Sequence, residues 1–437
     1  MSHTQQNNPY KVAISSMIGT AIEFYDYYIY AAAAVLVFST QFFDKSDPTV
    51  ATLLSLSTLA LAFFARPLGS LLFGYFGDKI GRKKTLVASL LTMGISTIAI
   101  GLLPTYAQIG IWAPILLCIF RVGQGIGLGG EWGGAALVAV ENAPANRRAW
   151  FGTFPQLGAP IGLFVANAVF FIISAIIGHE ALIEWGWRIP FIASFLLVAV
   201  GLWMRLSLHE SHVFEAAKKA GKTKGDPISG VLKNHWQQIL QGTLMMTTMY
   251  VLFYIMTAFA QVYSKSPVAF SDAGHQTGLG IAANTYTGFL LIGAVIFGIF
   301  VSISGVYSDR IGRRRLQLIT MALLVVFGLA MPSFLVNGTP TSVLAFLVVG
   351  FTLMGFAFGP VAAILPEIFP TQVRYTGASL TYNLAAITGA SVVSIVAIEI
   401  NQFYGMTGVG LYLSVNAILS FIAYWFAKET KNVDLTQ

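Results

Sequence analysis

The sequence predicts an all-α membrane protein of twelve transmembrane helices in two pseudo-symmetric six-helix halves, and three observations carry that prediction. Hydrophobic residues make up 56% of the chain and charged residues 10%, with a mean hydropathy of +0.73. That is more apolar surface than 437 residues hide in a water-soluble core, so the bilayer must act as solvent. Apolar runs near the 20 residues that a helix needs to cross the hydrocarbon core recur twelve times. The string GYFGDKIGRKK from Gly74 also returns as GVYSDRIGRRR from Gly305, so that Gly74, Asp78, Gly81 and Arg82 have counterparts 231 residues later in Gly305, Asp309, Gly312 and Arg313. Internal repeats in a membrane protein are the architecture of secondary transporters.

In order, the runs place spans in 12–38, 51–73, 84–103, 111–140, 150–178 and 189–206, then 237–263, 284–305, 316–336, 341–365, 374–400 and 408–427. Residues 1–206 make one half and 237–437 the other. The stretch between them, 207–236, is rich in Lys and Gly and reads as a cytoplasmic linker that starts with a short amphipathic helix. MSHTQQNNPYK is polar, and the apolar run after it is too long for a signal-peptide core. The first helix is therefore expected to remain as an uncleaved anchor. A second repeat supports the halves: Glu141, Pro144 and Arg148 match Glu367, Pro370 and Arg374 at an offset of 226, before the fifth and eleventh spans.

Of the 25 Lys and Arg, 20 lie on one side of these spans and three, Lys45, Arg188 and Lys265, on the other. Basic loops face the cytoplasm, so both termini and the linker are expected there. The net charge of +7 sits on short loops beside an anionic leaflet and implies no nucleic-acid partner. The single cysteine, Cys118, lies in an apolar run, which excludes a disulfide framework and a cysteine metal site. All six His fall outside the spans, and no Ser/His/Asp set or metal-ligand spacing stands out. Neither an enzyme nor a metal protein is expected.

An ionised side chain at bilayer depth costs at least ~2.5 to 3.5 kcal/mol, so each one is a functional candidate. Glu23, Asp26, Arg66, Arg121 and Glu131 qualify, all in the first half. At about 1.5 Å per residue, Glu23 lies roughly 16 Å and Arg121 roughly 15 Å into their helices, near the midplane and able to face each other. Arg66 and Glu131, about 12 and 14 Å above the cytoplasmic ends of theirs, share another layer and are expected to form an intramembrane ion pair. That pair is either a static device fixing helix register or part of proton coupling, for which Glu23, Asp26 and Glu131 are the candidate carriers. Arg121, permanently charged and planar, is the candidate receptor for a substrate carboxylate. Tyr30, Gln156, Tyr254, Tyr382 and Asn383 complete the candidate substrate site.

These strings resemble the major facilitator superfamily, whose loop between helices two and three carries G-x-x-x-D-[RK]-x-G-R-[RK]. Here that motif is Gly74, Asp78, Lys79, Gly81, Arg82 and Lys83, with a second copy from Gly305 to Arg314. Arg121, Gln124 and Gly125 resemble the superfamily's R-x-x-Q-G. The strings IGTAIEFYDYYIYA, ARPLGSLLFGYFGDKIGRKK, GLGGEWGGAALVAVENAP, FPQLGAPIG and PEIFPTQVRYTGAS together resemble the metabolite:proton symporter subfamily, which includes carriers of shikimate, citrate, α-ketoglutarate and proline or betaine. The resemblance implies a monomeric, multi-pass protein of the bacterial inner membrane with the major facilitator fold. Such a carrier alternates between inward- and outward-open forms around a central site, needs no cofactor and is driven by the proton gradient.

The resemblance also implies that Gly74, Asp78, Gly81 and Arg82, their repeats Asp309, Gly312 and Arg313, and Arg374 act as cytoplasmic latches. A carboxylate there suits the positive N-terminus of a helix in the other half, helix eleven for Asp78 and helix five for Asp309. Proton-coupled uptake of a small organic acid or zwitterion is the leading expectation. The alternative is proton-driven export of amphiphilic drugs; Gly158, Ala159, Pro160, Ile161 and Gly162 match the exporters' G-P-x-x-G-G only in part. A solute sensor that transports nothing is a remote third.

Overall fold

The computed structural model describes residues 8–435 except 45, 47, 208–214, 216–226 and 392. The amphipathic start expected for the linker, and Lys45, lie outside the described residues; the linker's end, Pro227–Asn234, is helical. The long helices are α1 (Pro9–Ala33), α2 (Pro48–Lys79), α3 (Arg82–Leu102), α4 (Trp112–Glu141), α5 (Arg148–Ile177) and α6 (Arg188–Leu206). They are followed by α7 (Trp236–Tyr254), α8 (Ala283–Ile311), α9 (Arg313–Leu335), α10 (Pro340–Phe358), α11 (Arg374–Ala390) and α12 (Val393–Trp425).

Helix is imposed by the solvent, because hydrocarbon offers no partner to a free N–H or C=O and each span must close its own backbone bonds. Local sequence sets the ends. Asn8 accepts from the Tyr10 amide at 3.0 Å, with Pro9 in the first turn of α1, and Thr339 with Pro340 does the same for α10. Gly81 (φ 134°) and Gly312 (φ 100°) turn α2 into α3 and α8 into α9 at angles that a side chain disfavours.

Ten helices among the described residues are long and apolar enough to cross a bilayer. The last of these, Arg374–Trp425, contains two crossings, because Gly405 (φ 66°, ψ −171°) breaks α12. Its first part completes the eleventh crossing and 406–425 makes the twelfth. The remaining crossing is α1, whose apolar character is diluted by Glu23, Asp26 and Tyr25, Tyr27, Tyr28 and Tyr30.

Packing repeats between the halves. In the first, α1 lies along α5 and α2 along α4; in the second, α7 lies along α11 and α8 along α10. Across the seam α2 packs on α11 and α8 on α5, which is one contact generated twice by a pseudo-two-fold. Gly74 permits the first of them, since a Cβ there would stand 2.7 Å from Thr376 Cα. On the outside, Phe64, Leu68, Phe171, Ile176 and Trp203 are more than half exposed, an apolar surface that lipid tails cover.

Candidate functional site

A cavity of about 480 Å³ lies at the seam, walled by Phe24, Tyr27, Tyr28 and Arg66 from the first half and by Tyr250, Phe253, Tyr254 and Tyr382 from the second. Behind Tyr27 a smaller cavity, about 200 Å³, holds Glu23, Asp26, Arg121 and Gln124. Tyr27 lines both and is the partition between them. Its hydroxyl lies 2.8 Å from that of Tyr254, a hydrogen bond from one half to the other. Guanidinium groups flank the ring, Arg66 at 5.1 Å and Arg121 at 5.4 Å from its centroid; Arg66 also lies 4.9 Å over Phe63 and Arg121 3.8 Å over Tyr30.

In the smaller cavity Arg121 Nη1 donates to Gln124 Oε1 (3.0 Å), Gln124 Nε2 to Thr97 Oγ1 (2.8 Å), and Thr97 Oγ1 to Asp26 Oδ2 (3.0 Å). Ser194 Oγ donates to the other oxygen of Asp26 at 2.6 Å. Arg121 therefore reaches a carboxylate through two intervening side chains. Glu23 lines the same cavity but makes no ion pair with Arg121 among the described residues, and its Oε2 has no hydrogen-bond partner there. The cations whose fields reach Glu23 are Arg66 and Arg205.

The expected Arg66–Glu131 pair does not form. Glu131 is paired with Arg205: one oxygen meets Arg205 Nη2, and the other accepts from Arg205 Nη1 at 2.9 Å and from Ser89 Oγ at 3.0 Å. Depth along a helix says nothing about direction around it. Helix α2 turns Arg66 toward α1 and the central cavity, whereas α4 turns Glu131 toward α3 and α6. By sequence Arg205, at the end of an apolar run, reads as a cytoplasmic loop charge; in the fold it is 3% exposed and also donates to Leu86 O at 2.7 Å. The available signal was Gly19, where any Cβ would strike the Arg205 guanidinium.

Among the candidate substrate residues, Tyr254 and Tyr382 line the central cavity, and the others do not. Tyr382 is stacked on Trp132 (3.8 Å, 9°), whose Nε1 donates to Gln156 Oε1 at 2.7 Å, while Gln156 Nε2 donates to Phe358 O at 2.6 Å. Gln156 thus stands behind the wall and holds it. Tyr30 donates to Thr58 at 2.7 Å and underlies Arg121. Asn383 donates across the seam to Gly129 O at 3.1 Å.

At the end of the molecule that carries the basic loops the halves are locked together. Asp78 accepts from the amides of Tyr375 (3.1 Å) and Thr376 (3.0 Å) and from Thr376 Oγ1 (2.8 Å), at the N-terminus of α11. Asp309 accepts from the amides of Ala149 (3.0 Å) and Trp150 (2.8 Å) at the N-terminus of α5. Both carboxylates meet the positive end of a helix dipole. Arg82 lies 3.7 Å from Asp78 and 3.4 Å from Glu141, and Arg313 2.9 Å from Asp309 and 3.1 Å from Glu367. Arg374 stands 3.6 Å from Glu141 and donates to Leu435 O at 3.0 Å, which draws the C-terminal tail into the same closure.

Asp78→Asn replaces an acceptor-only group with an amide that faces two N–H donors. Losing one charge-assisted bond is worth about 1.5 to 3 kcal/mol, enough to move a closed-to-open equilibrium tenfold or more. We expect reduced turnover with little change in substrate affinity, since the residue touches no ligand. Spin labels at exposed Arg147 and Arg315, on a Cys118→Ser background, should report a longer basic-end distance; an unchanged distance distribution would contradict a latch.

A profile of the sugar (and other) transporter family matches residues 12–437. The chain is 65% identical, over all 437 residues of both, to a Haemophilus influenzae protein whose name classes it among metabolite transport proteins. It is 52% identical to the Escherichia coli inner membrane metabolite transport protein YhjE, with 99% of this chain and 97% of that one covered. To the E. coli shikimate transporter it is 32% identical, over 96% and 95% of the two. Among solved structures, the proton:xylose symporter XylE bound to 6-bromo-6-deoxy-D-glucose superposes with a TM-score of 0.78 at 18% identity, over 98% of each chain. The chain belongs to the sugar (and other) transporter family, has the major facilitator fold, and is a membrane transporter, not an enzyme.

Proposed function

We propose that this chain is a proton-coupled symporter of a small organic acid or zwitterionic metabolite, working by alternating access in the bacterial inner membrane. Residues 1–206 and 237–437 rock as two bodies joined by 207–236, with the basic end and both termini in the cytoplasm. The observation that carries this reading is the pair of adjoining cavities: one holds the buried carboxyls Glu23 and Asp26, the other opens between the halves and presents a cation. The first suits a proton and the second a solute. Closure at the basic end supplies one of the two states that alternation needs. The gradient supplies the energy, so no cofactor is required, and one chain encloses its own cavity, so a monomer suffices.

A relative named for shikimate, an acid, supports the cargo class. Export of amphiphilic cations fits less well, because Arg66 is the one charged side chain among the described residues lining the central cavity. The test is uptake into proteoliposomes from a panel of organic acids and zwitterions under an imposed inward proton gradient. At least one solute should accumulate above its external concentration, and a protonophore should collapse the accumulation. Accumulation indifferent to the protonophore, or transport confined to lipophilic cations, would overturn the reading.

A further inference from the structure

We propose that Arg66, and not Arg121, receives the carboxylate of the substrate, and that the substrate is a monocarboxylate with an apolar, ring-sized body; this rests on the transport reading above. Arg66 is 5% exposed. Its guanidinium makes no ion pair among the described residues, its Nε has no hydrogen-bond partner there, and it lies against the rings of Tyr27 and Phe63.

A buried guanidinium without an anion is a costly arrangement, and aromatic faces compensate only part of the lost hydration. Four other deeply buried arginines, Arg82, Arg205, Arg313 and Arg374, are paired with carboxylates. Arg121 has no carboxylate partner among the described residues, and its Nε and Nη2 make no hydrogen bond there, but its Nη1 is linked to Asp26 through Gln124 and Thr97. Arg66 lacks even such a link, and of these arginines it is the one that lines the central cavity at the seam. Arg121 lies on the far side of Tyr27, in the smaller cavity.

The same lining defines the cargo. One guanidinium and no carboxylate face the central cavity, which matches a single negative charge. A dicarboxylate would leave a second charge unpaired at low dielectric, and the ammonium of an amino acid would meet ring faces and tyrosine hydroxyls but no carboxylate. Apart from Ala159 the remaining wall, including Phe24, Tyr28, Met249, Phe253 and Met354, is aromatic or thioether and suits an apolar ring.

The experiment measures thermal stabilisation of the purified full-length chain in detergent by ligands sharing one ring. These are cyclohexanecarboxylate, its amide, trans-1,2-cyclohexanedicarboxylate and 1-aminocyclohexanecarboxylate, with benzoate as a second monoacid. At least one monoacid should bind wild type tenfold or more tighter than the amide, the diacid and the amino acid. That preference for acid over amide should fall at least tenfold in Arg66→Lys, which keeps the charge and loses the fork, vanish in Arg66→Gln, and survive in Arg121→Gln. Preference retained in Arg66→Gln, preference lost in Arg121→Gln alone, or no stabilisation of wild type by either monoacid would each overturn the inference. Should Arg66→Gln not fold, Arg66→Lys and the wild-type series decide it. The transport reading fails separately, if proteoliposomes show no gradient-driven uptake of any solute while the binding preference persists.

Discussion

Glu23→Gln is expected to abolish accumulation of substrate against its gradient while leaving exchange at equal pH largely intact. The amide keeps the volume and shape of the side chain and removes the exchangeable proton. A gradient of one pH unit is worth about 1.4 kcal/mol per proton, close to tenfold accumulation for one proton carried, and in the variant inside and outside should simply equalise. Glu23 is the first choice because it lines the smaller cavity with an oxygen that, among the described residues, no donor occupies. A proton taken up there breaks no existing bond. Asp26→Asn should uncouple less cleanly, since Ser194 and Thr97 both donate to Asp26 and an amide accepts at one position only. Uphill accumulation retained in both variants would move the coupling proton to Glu131, whose pairing with Arg205 would then have to open during the cycle.

What the sequence made legible, and what it did not, divides along one physical line. Positions governed by a period along the chain were readable: the twelve apolar runs and the repeat that pairs Asp78 with Asp309 both follow from local rules. Depth was readable too, because a helix converts residue number into height. Azimuth was not. Arg66 and Glu131 share a layer but point to different neighbours, and Arg121 and Glu23 share a cavity without touching. Which way a helix turns its charge depends on how twelve helices pack, and that packing is written in small residues such as Gly19 and Gly74, whose partners come from other helices. Gln156 illustrates the same limit: a polar residue in an apolar span reads as a ligand for substrate, whereas here it orients Trp132 behind Tyr382.

Arg205→Ala is expected to be the most destabilising single change outside the basic-end contacts, at about 3 to 5 kcal/mol, because it strands Glu131 as an unpaired buried carboxylate. Three groups would be lost or orphaned together: Glu131, the Leu86 carbonyl, and the space beside Gly19 that the guanidinium fills. Glu131→Ala should cost a similar amount, for it leaves the cation behind. The double replacement Glu131→Leu with Arg205→Leu removes both charges and both desolvation penalties, so it should recover most of the stability; buried ion pairs are often replaceable by apolar residues of similar volume. Unfolding titrations in mixed micelles on the two singles and the double form a cycle that isolates the pair. A double variant no more stable than either single would mean that packing around α1, α4 and α6, and not charge, is what Arg205 supplies. If the double variant is stable and still accumulates substrate, Glu131 is a structural partner and Glu23 with Asp26 keep the proton; if it is stable but uncoupled, the ion pair belongs to the transport cycle.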